Sequence, residues 1–176
     1  MPTIRLGQFT LRPFRKGDEH SLVENINNVK IARATLTIPH PYRMEDALSW
    51  LDNNLKASRK RKKTEVILAI DKDGQVIGGI GLEKMDGHEA EIGYWLGEKY
   101  WGRGIVTSAV EALTRYAFTD LRLRRVYAHV FPPNKASARV LEKAGYAFEG
   151  RLRRHVVKDG RRRDCLLFVK ESPSGN

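Results

Sequence analysis

The sequence predicts an α/β fold of the mixed α+β kind, a mostly antiparallel central sheet with helices on both faces. Three observations predict it. Two hairpin signals, Asp73-Gly74 and Asp86-Gly87, separate three short apolar segments in the manner of an antiparallel meander. A glycine-bearing loop, Gly102-Arg103-Gly104, then opens the strongest helical pattern of the chain. A strand, a helix and a last hairpin follow, and a sheet assembled this way buries its faces under helices. Residues 1–176 read as a single domain, with 171–176 as a frayed tail.

Taken in order, Phe9 to Phe14 is extended, and Asp18 stands as the N-cap of a helix toward Asn27 with Leu22, Val23 and Ile26 on one face. Pro39 and Pro41 break the chain. A second helix carries Ala47, Leu48, Leu51 and Leu55 and ends in the basic run Lys56–Lys63. Val66–Ile70, Gln75–Glu83 and Ala90–Leu96 are the three strands of the meander. Val106, Ala109, Val110, Leu113, Tyr116 and Ala117 form one apolar stripe at helical spacing. Val126–Val130 is a strand, and Ser137, Val140, Leu141 and Ala144 line a further helix that Gly145 closes. Two final strands flank Lys158-Asp159-Gly160.

Composition excludes several classes of function. Hydrophobic residues at 41% and charged residues at 30% describe a globular chain, not a disordered one. No apolar run approaches the roughly 20 residues that span a bilayer, and Met1 to Thr10 has no signal core, so a cytoplasmic protein without membrane contact is expected. The single cysteine, Cys165, allows no internal disulfide and reads as a packed strand residue. No cysteine–histidine cluster has metal-ligand spacing, so no metal is expected. The net charge of +11 gathers at Lys56–Lys63, Leu121–Arg125 and Arg151–Arg163. Such a surface attracts nucleic acid, ribosomes, anionic membranes or a phosphorylated cofactor, or simply keeps the protein soluble.

The chemistry concentrates in Glu91 to Val106, EIGYWLGEKYWGRGIV. A strand ends, a short loop holds Gly102-Arg103-Gly104, and a helix begins at once. Exposed backbone N–H groups and the positive helix end favour an anion there, and glycine lets the backbone approach it closely. Arg103 adds a charge. The longer nucleotide motifs do not fit, because position 107 is threonine and no Gly-Lys-Ser/Thr follows. The second informative segment, FPPNKASARVLEKAGY, places Asn134 and Ser137 about one turn apart at a helix start. Asn134 there serves either as a cap or as a ligand-facing group.

Together AEIGYWLGEKYWGRGI and NKASARVLEKAGY resemble, in order and spacing, the two most diagnostic motifs of the GNAT superfamily of N-acetyltransferases. The start LRPFRKGDEHSL and the ending FEGRLRRHVVKDGRRRDCLLF look like the Rim-type ribosomal-protein N-terminal acetyltransferase subgroup. The resemblance implies acetyl-CoA as co-substrate, held in a splay between the strands Ala90–Leu96 and Val126–Val130. It implies pantetheine near Leu96, and pyrophosphate on the amides of Trp101, Gly102, Arg103, Gly104, Ile105 and Val106. Many relatives protonate the leaving thiolate with a tyrosine, but the matching position is Leu141, which cannot donate. Ser137 with Asn134 is the remaining pair, both also facing the cofactor, and a backbone N–H near Leu96 polarises the thioester carbonyl. Glu91 matches a strand carboxylate that some relatives use as the base, with Glu83, His129 and His155 as weaker candidates. A relay through water also serves, since an N-terminal amine has a pKa of about 8.

The resemblance thus implies acetyl transfer to a primary amine by direct attack, the amine being that of a protein or peptide N-terminus, with association to the ribosome. Two alternatives stand beside it: acetylation of a small amine such as an aminoglycoside or polyamine, and a basic ribosome- or nucleic-acid-binding module without catalysis. The acceptor groove would be built from Asp18 to Lys63, and the assembly would be a monomer or homodimer.

Overall fold

Period-two burial along the strands and a 3.6-residue period along the helices sort the apolar residues into two cores, one on each face of a single sheet. A computed structural model describes residues 1–58 and 64–173. The larger part of the run Lys56–Lys63 and the last three residues of the expected tail lie outside the described residues. The strands are β1 (Ile4–Leu6), β2 (Phe9–Pro13), β3 (Val66–Lys72), β4 (Gln75–Glu83), β5 (Glu89–Leu96), β6 (Arg125–Val130), β7 (Ala147–Lys158) and β8 (Arg161–Glu171). Their order across the sheet is β1-β2-β3-β4-β5-β6-β8-β7. Every pairing is antiparallel except β5 with β6.

The helices are α1 (Glu19–Ile26), α2 (Val29–Ala34), α3 (Met44–Ser58), α4 (Ile105–Thr119) and α5 (Lys135–Lys143). Val110 and Leu113 of α4 and Leu141 of α5 pack on one face with Leu82, Ile92 and Val126. Leu22 and Ile26 of α1, Ile31 of α2 and Ala47 and Leu51 of α3 pack on the other with Ala69 and Val76. The expected stripe of α4 is the buried one, and Gly145, at φ 81°, closes α5 as its sequence suggests.

Four details depart from expectation. Asp18 occupies the N-cap position of α1 without capping it. Its carboxylate instead accepts two 2.8 Å hydrogen bonds from the Arg12 guanidinium and one from the Arg15 N–H. Arg12 also reaches Asp71 on β3, so one guanidinium ties β2, β3 and the start of α1. Leu48 is 51% exposed, because α3 buries Ala47, Leu51 and Asn54 at i, i+4, i+7 instead. Helix α2 has only six residues, too few to show a period, although Asn28 caps it by accepting from the Lys30 N–H. Glu171 and Ser172 are not frayed: Glu171 pairs with Arg125, and the Ser172 N–H donates to the Arg124 carbonyl.

Candidate active site

The parallel pairing of β5 with β6 covers only Glu89 to Glu91 against Arg125 to Tyr127. Beyond Glu91 the strands part, and β5 from Ile92 to Leu96 keeps β4 as its only strand neighbour among the described residues. A gap thus opens in mid-sheet, with α4 and α5 on one side and the face of α1–α3 on the other. The resemblance to the GNAT motifs implies a splay between these same two strands.

At the end of β5 the chain makes a 3-10 turn at Glu98–Tyr100 and enters the loop to α4. Gly102 and Gly104 both take φ 74°, a left-handed conformation open to glycine at no steric cost. Gly104 is the N-cap of α4 and has no side chain to offer its first turn. The first amides of a helix have no intrahelical acceptor, so Ile105 and Val106 present N–H groups at the positive end of a 15-residue helix. The Arg103 guanidinium lies 5.8 Å from the Tyr100 ring centroid. Trp101 is 44% exposed, and its Nε1 donates to the Leu96 carbonyl at 2.7 Å, tying the loop back to the last residue of β5.

On the α5 side of the gap, Asn134 caps α5: its Oδ1 accepts from the Ser137 N–H at 3.1 Å. Ser137 Oγ lies 2.7 Å from the hydroxyl of Tyr94, which reaches across from β5. Burial pushes the Tyr94 phenol up to about 12 against the opposing hydrogen bond with Ser137, so it keeps its proton at neutral pH. Leu141 is fully buried in the core.

On the opposite face, Glu91 Oε1 lies 2.8 Å from His129 Nδ1, and Lys84 Nζ donates to Oε2 at 2.5 Å. Burial opposes the charge on Glu91, yet the hydrogen bonds from His129 and Lys84 prevail and hold the carboxylate below its usual range. The His155 ring lies tilted against that of His129, with centroids 4.7 Å apart. Glu83 is pushed up by burial and by the neighbouring Glu91. The β7–β8 hairpin leans over this face. Its register shifts between Leu152 and Val156, where Arg154 takes φ 50° and its N–H donates to Asp164. The end of the arm reaches α2, where Lys158 Nζ donates to the carbonyls of Ala32 at 2.9 Å and Thr35 at 2.6 Å.

The structure therefore brings the expected residues into two groups flanking one gap: Asn134 and Ser137 on one side, Glu91 with His129 and His155 on the other. Tyr94 escaped sequence reasoning, although its period-two relation to Ile92 and Leu96 places it on the α5 face. Lys158 escaped as well, and no local signal points to it.

A family model described as an acetyltransferase (GNAT) domain matches residues 8–147. An uncharacterized N-acetyltransferase, p20 of Bacillus licheniformis, is 29% identical over 172 residues, 96% of this chain and 95% of that protein. The [ribosomal protein uS5]-alanine N-acetyltransferase of Escherichia coli is 31% identical over 86 residues, 49% of this chain and 44% of that protein. The structure of Mycobacterium smegmatis RimJ in complex with CoA-disulfide superposes with a TM-score of 0.83 at 26% identity, covering 97% of this chain and 86% of that one.

Proposed function

The chain belongs to the GNAT acetyltransferase family, and on that premise we propose that it acetylates the N-terminal amine of a protein or peptide held in an anionic setting. The activity is N-acetyl transfer from acetyl-CoA. The residues present fit that co-substrate: β5 offers an open edge, and a loop of amides at a helix start offers a seat for a pyrophosphate. The loop Trp101–Val106 would hold the pyrophosphate, with Arg103 adding charge, and the edge near Leu96 would hold the pantetheine and supply an N–H to the thioester carbonyl. Acetyl-CoA, when bound, supplies an acetyl carbon activated as a thioester.

Around it, the chain's own groups divide the work. Ser137 Oγ donates a hydrogen bond to the sulfur as charge develops there, and the protonated Tyr94 hydroxyl holds Ser137 in place. Asn134 fixes the start of α5. On the far side, Glu91 assists loss of the amine proton through its hydrogen bond with His129.

The observation that carries the acceptor class is the charge of the arm over that face. Arg161, Arg162 and Arg163 are exposed, and alternation along β8 puts Arg161 and Arg163 on the same face as Cys165 and Leu167. Leu167 pairs with His129, so this is the Glu91–His129 face. A groove so lined repels polyamines and aminoglycosides and attracts an acceptor near carboxylates or phosphates, as a ribosomal protein on RNA would be.

Salt response tests this. Steering by exposed charge falls steeply as the Debye length shrinks to about 8 Å at physiological ionic strength. The kcat/KM for a ribosome-bound protein substrate is expected to fall with salt far more than that for a short neutral peptide. Equal slopes, or faster turnover of spermidine than of either, would remove the acceptor assignment.

The cofactor seat has its own test. Gly104→Val is expected to weaken acetyl-CoA binding by about tenfold or more, the order of one lost anion–helix interaction. The fold should remain, since a side chain at φ 74° costs about 1–2 kcal/mol and a Cβ there meets no atom within 4 Å. The readout is the thermal shift on adding acetyl-CoA, worth about 2.7 kcal/mol at 100 times Kd in the parent. A folded variant with the parent's shift would place the pyrophosphate elsewhere.

A further inference from the structure

We infer that His129 Nε2 is the group that takes the proton from the attacking amine, and that Glu91 is a positioning residue acting through it. The inference rests on the acetyl-transfer reading above and deepens it. An ionised carboxylate only accepts hydrogen bonds. Glu91 lies 2.8 Å from Nδ1 of His129, so a neutral His129 must carry its hydrogen on Nδ1. That tautomer leaves the lone pair on Nε2, for which no partner occurs among the described residues.

The location fits the task. Glu91 is the last residue of β5 to pair with β6, and His129 lies two residues past Tyr127, the last to pair on β6. The two therefore stand at the apex of the gap, on the face opposite Ser137. An amine entering from the side of α2 and the β7–β8 arm meets His129, while the leaving sulfur departs on the side of α5. The His129 side chain is 15% exposed, shielded yet reachable.

Glu91 is poorly suited to take the proton itself. Lys84 and His129 already occupy its two oxygens and hold it ionised, which weakens it as a base. The other titratable groups around His129 are Glu83 on β4, Glu89 on β5, Tyr127 on β6, His155 on β7 and Cys165 on β8, with exposed Arg161 and Arg163 on the same face. Arg125 neutralises Glu89. The Tyr127 phenol and the Cys165 thiol are both pushed up by burial and stay protonated near neutral pH. His155 is exposed and lies tilted against His129, without a carboxylate partner among the described residues to fix its tautomer. The step moves one proton from the ammonium nitrogen to Nε2; the imidazolium returns it to solvent, and no electrons are exchanged.

Two measurements test this. Nitrogen-15 NMR of the parent protein, with the His129 imidazole neutral, should show the hydrogen on Nδ1. In Glu91→Ala, the preference for Nδ1 should be lost, because no carboxylate then accepts a hydrogen bond from that nitrogen. A hydrogen on Nε2 in the parent, or an unchanged tautomer in Glu91→Ala, would overturn the inference without any turnover being measured. In kinetics with an alanine-starting peptide, His129→Asn should lower kcat/KM near neutral pH by about a hundredfold or more. The loss should shrink as pH rises and the amine deprotonates unaided, with the acetyl-CoA thermal shift unchanged. A pH-independent loss, or none, would overturn it too. Absence of any acetyl-CoA thermal shift in the parent would instead remove the acetyl-transfer reading, a distinct failure.

Discussion

Replacing Ser137 with alanine should lower kcat by about 10²–10³, the loss that follows removal of one preorganised donor to developing negative charge. The serine hydroxyl is prepared for that role on two sides. The Tyr94 hydroxyl lies 2.7 Å from Oγ, and Asn134 pins the Ser137 N–H at the first turn of α5. Burial keeps the Tyr94 proton in place, so the phenol donates either to Oγ or to the Ser137 carbonyl, 3.2 Å away. Leu141, fully buried, leaves no tyrosine one turn further along to share the work. Acetyl-CoA affinity should stay within a few-fold of the parent, because the hydroxyl matters when the C–S bond breaks and not when the thioester binds. Tyr94→Phe keeps Ser137 and loses only its anchor, so its kcat should fall less. The decisive measurement is single-turnover acetyl transfer with acetyl-CoA saturating. A Ser137→Ala enzyme as fast as the parent would show that water serves the leaving sulfur.

Arg12→Leu should destabilise the protein by about 3–5 kcal/mol, the usual cost of removing one partner from a buried charge network. Asp18 has a side chain only 3% exposed, and Asp71 only 13%. Without the guanidinium, Asp18 keeps, among the described residues, the N–H of Arg15 and the Arg15 side chain, whose Nε lies 3.8 Å away. The Arg12 guanidinium is itself held above its ordinary range, first by its hydrogen bond with Asp18 and against the opposing effect of burial. Arg12→Lys should recover part of the loss, since an ammonium preserves the charge but cannot fork across both carboxylates. Urea unfolding of the three proteins checks the order. A loss below about 1 kcal/mol for Arg12→Leu would rank the network with exposed ion pairs. The site should feel this change as well, because Arg12 anchors the start of α1, and Asn25 of α1 lies so close to Gly97 that a Cβ there would meet Asn25 Oδ1 at 2.7 Å.

Local rules made much of this legible. Hairpin dipeptides located the meander, and the α4 stripe announced the helix that packs on the sheet. Two glycines between a strand and that helix announced a short loop, and both take φ 74° in it. Asn134 read as a cap because its side chain bonds its own neighbourhood, three residues away. Helix α2 hid because six residues show no period, and Asp18 misled because an N-cap signal and a buried ion-pair partner are the same residue type.

What the chain determined by itself is whatever depends on neighbours within a turn or a hairpin: the element order, the glycine loop, the cap of α5, and the absence of a donor at Leu141. Contacts between residues remote in sequence needed the sheet. Tyr94 meets Ser137 across 43 positions, and Glu91 meets His129 across 38. The end of the β7–β8 arm meets α2 across 126. These meetings follow from strand order and register, and above all from β5 and β6 pairing over three residues and then parting. Periodicity along a strand says which face a side chain takes, but not which strand lies beside it. Only the assembled sheet therefore decided that the serine and the histidine stand on opposite sides of one gap.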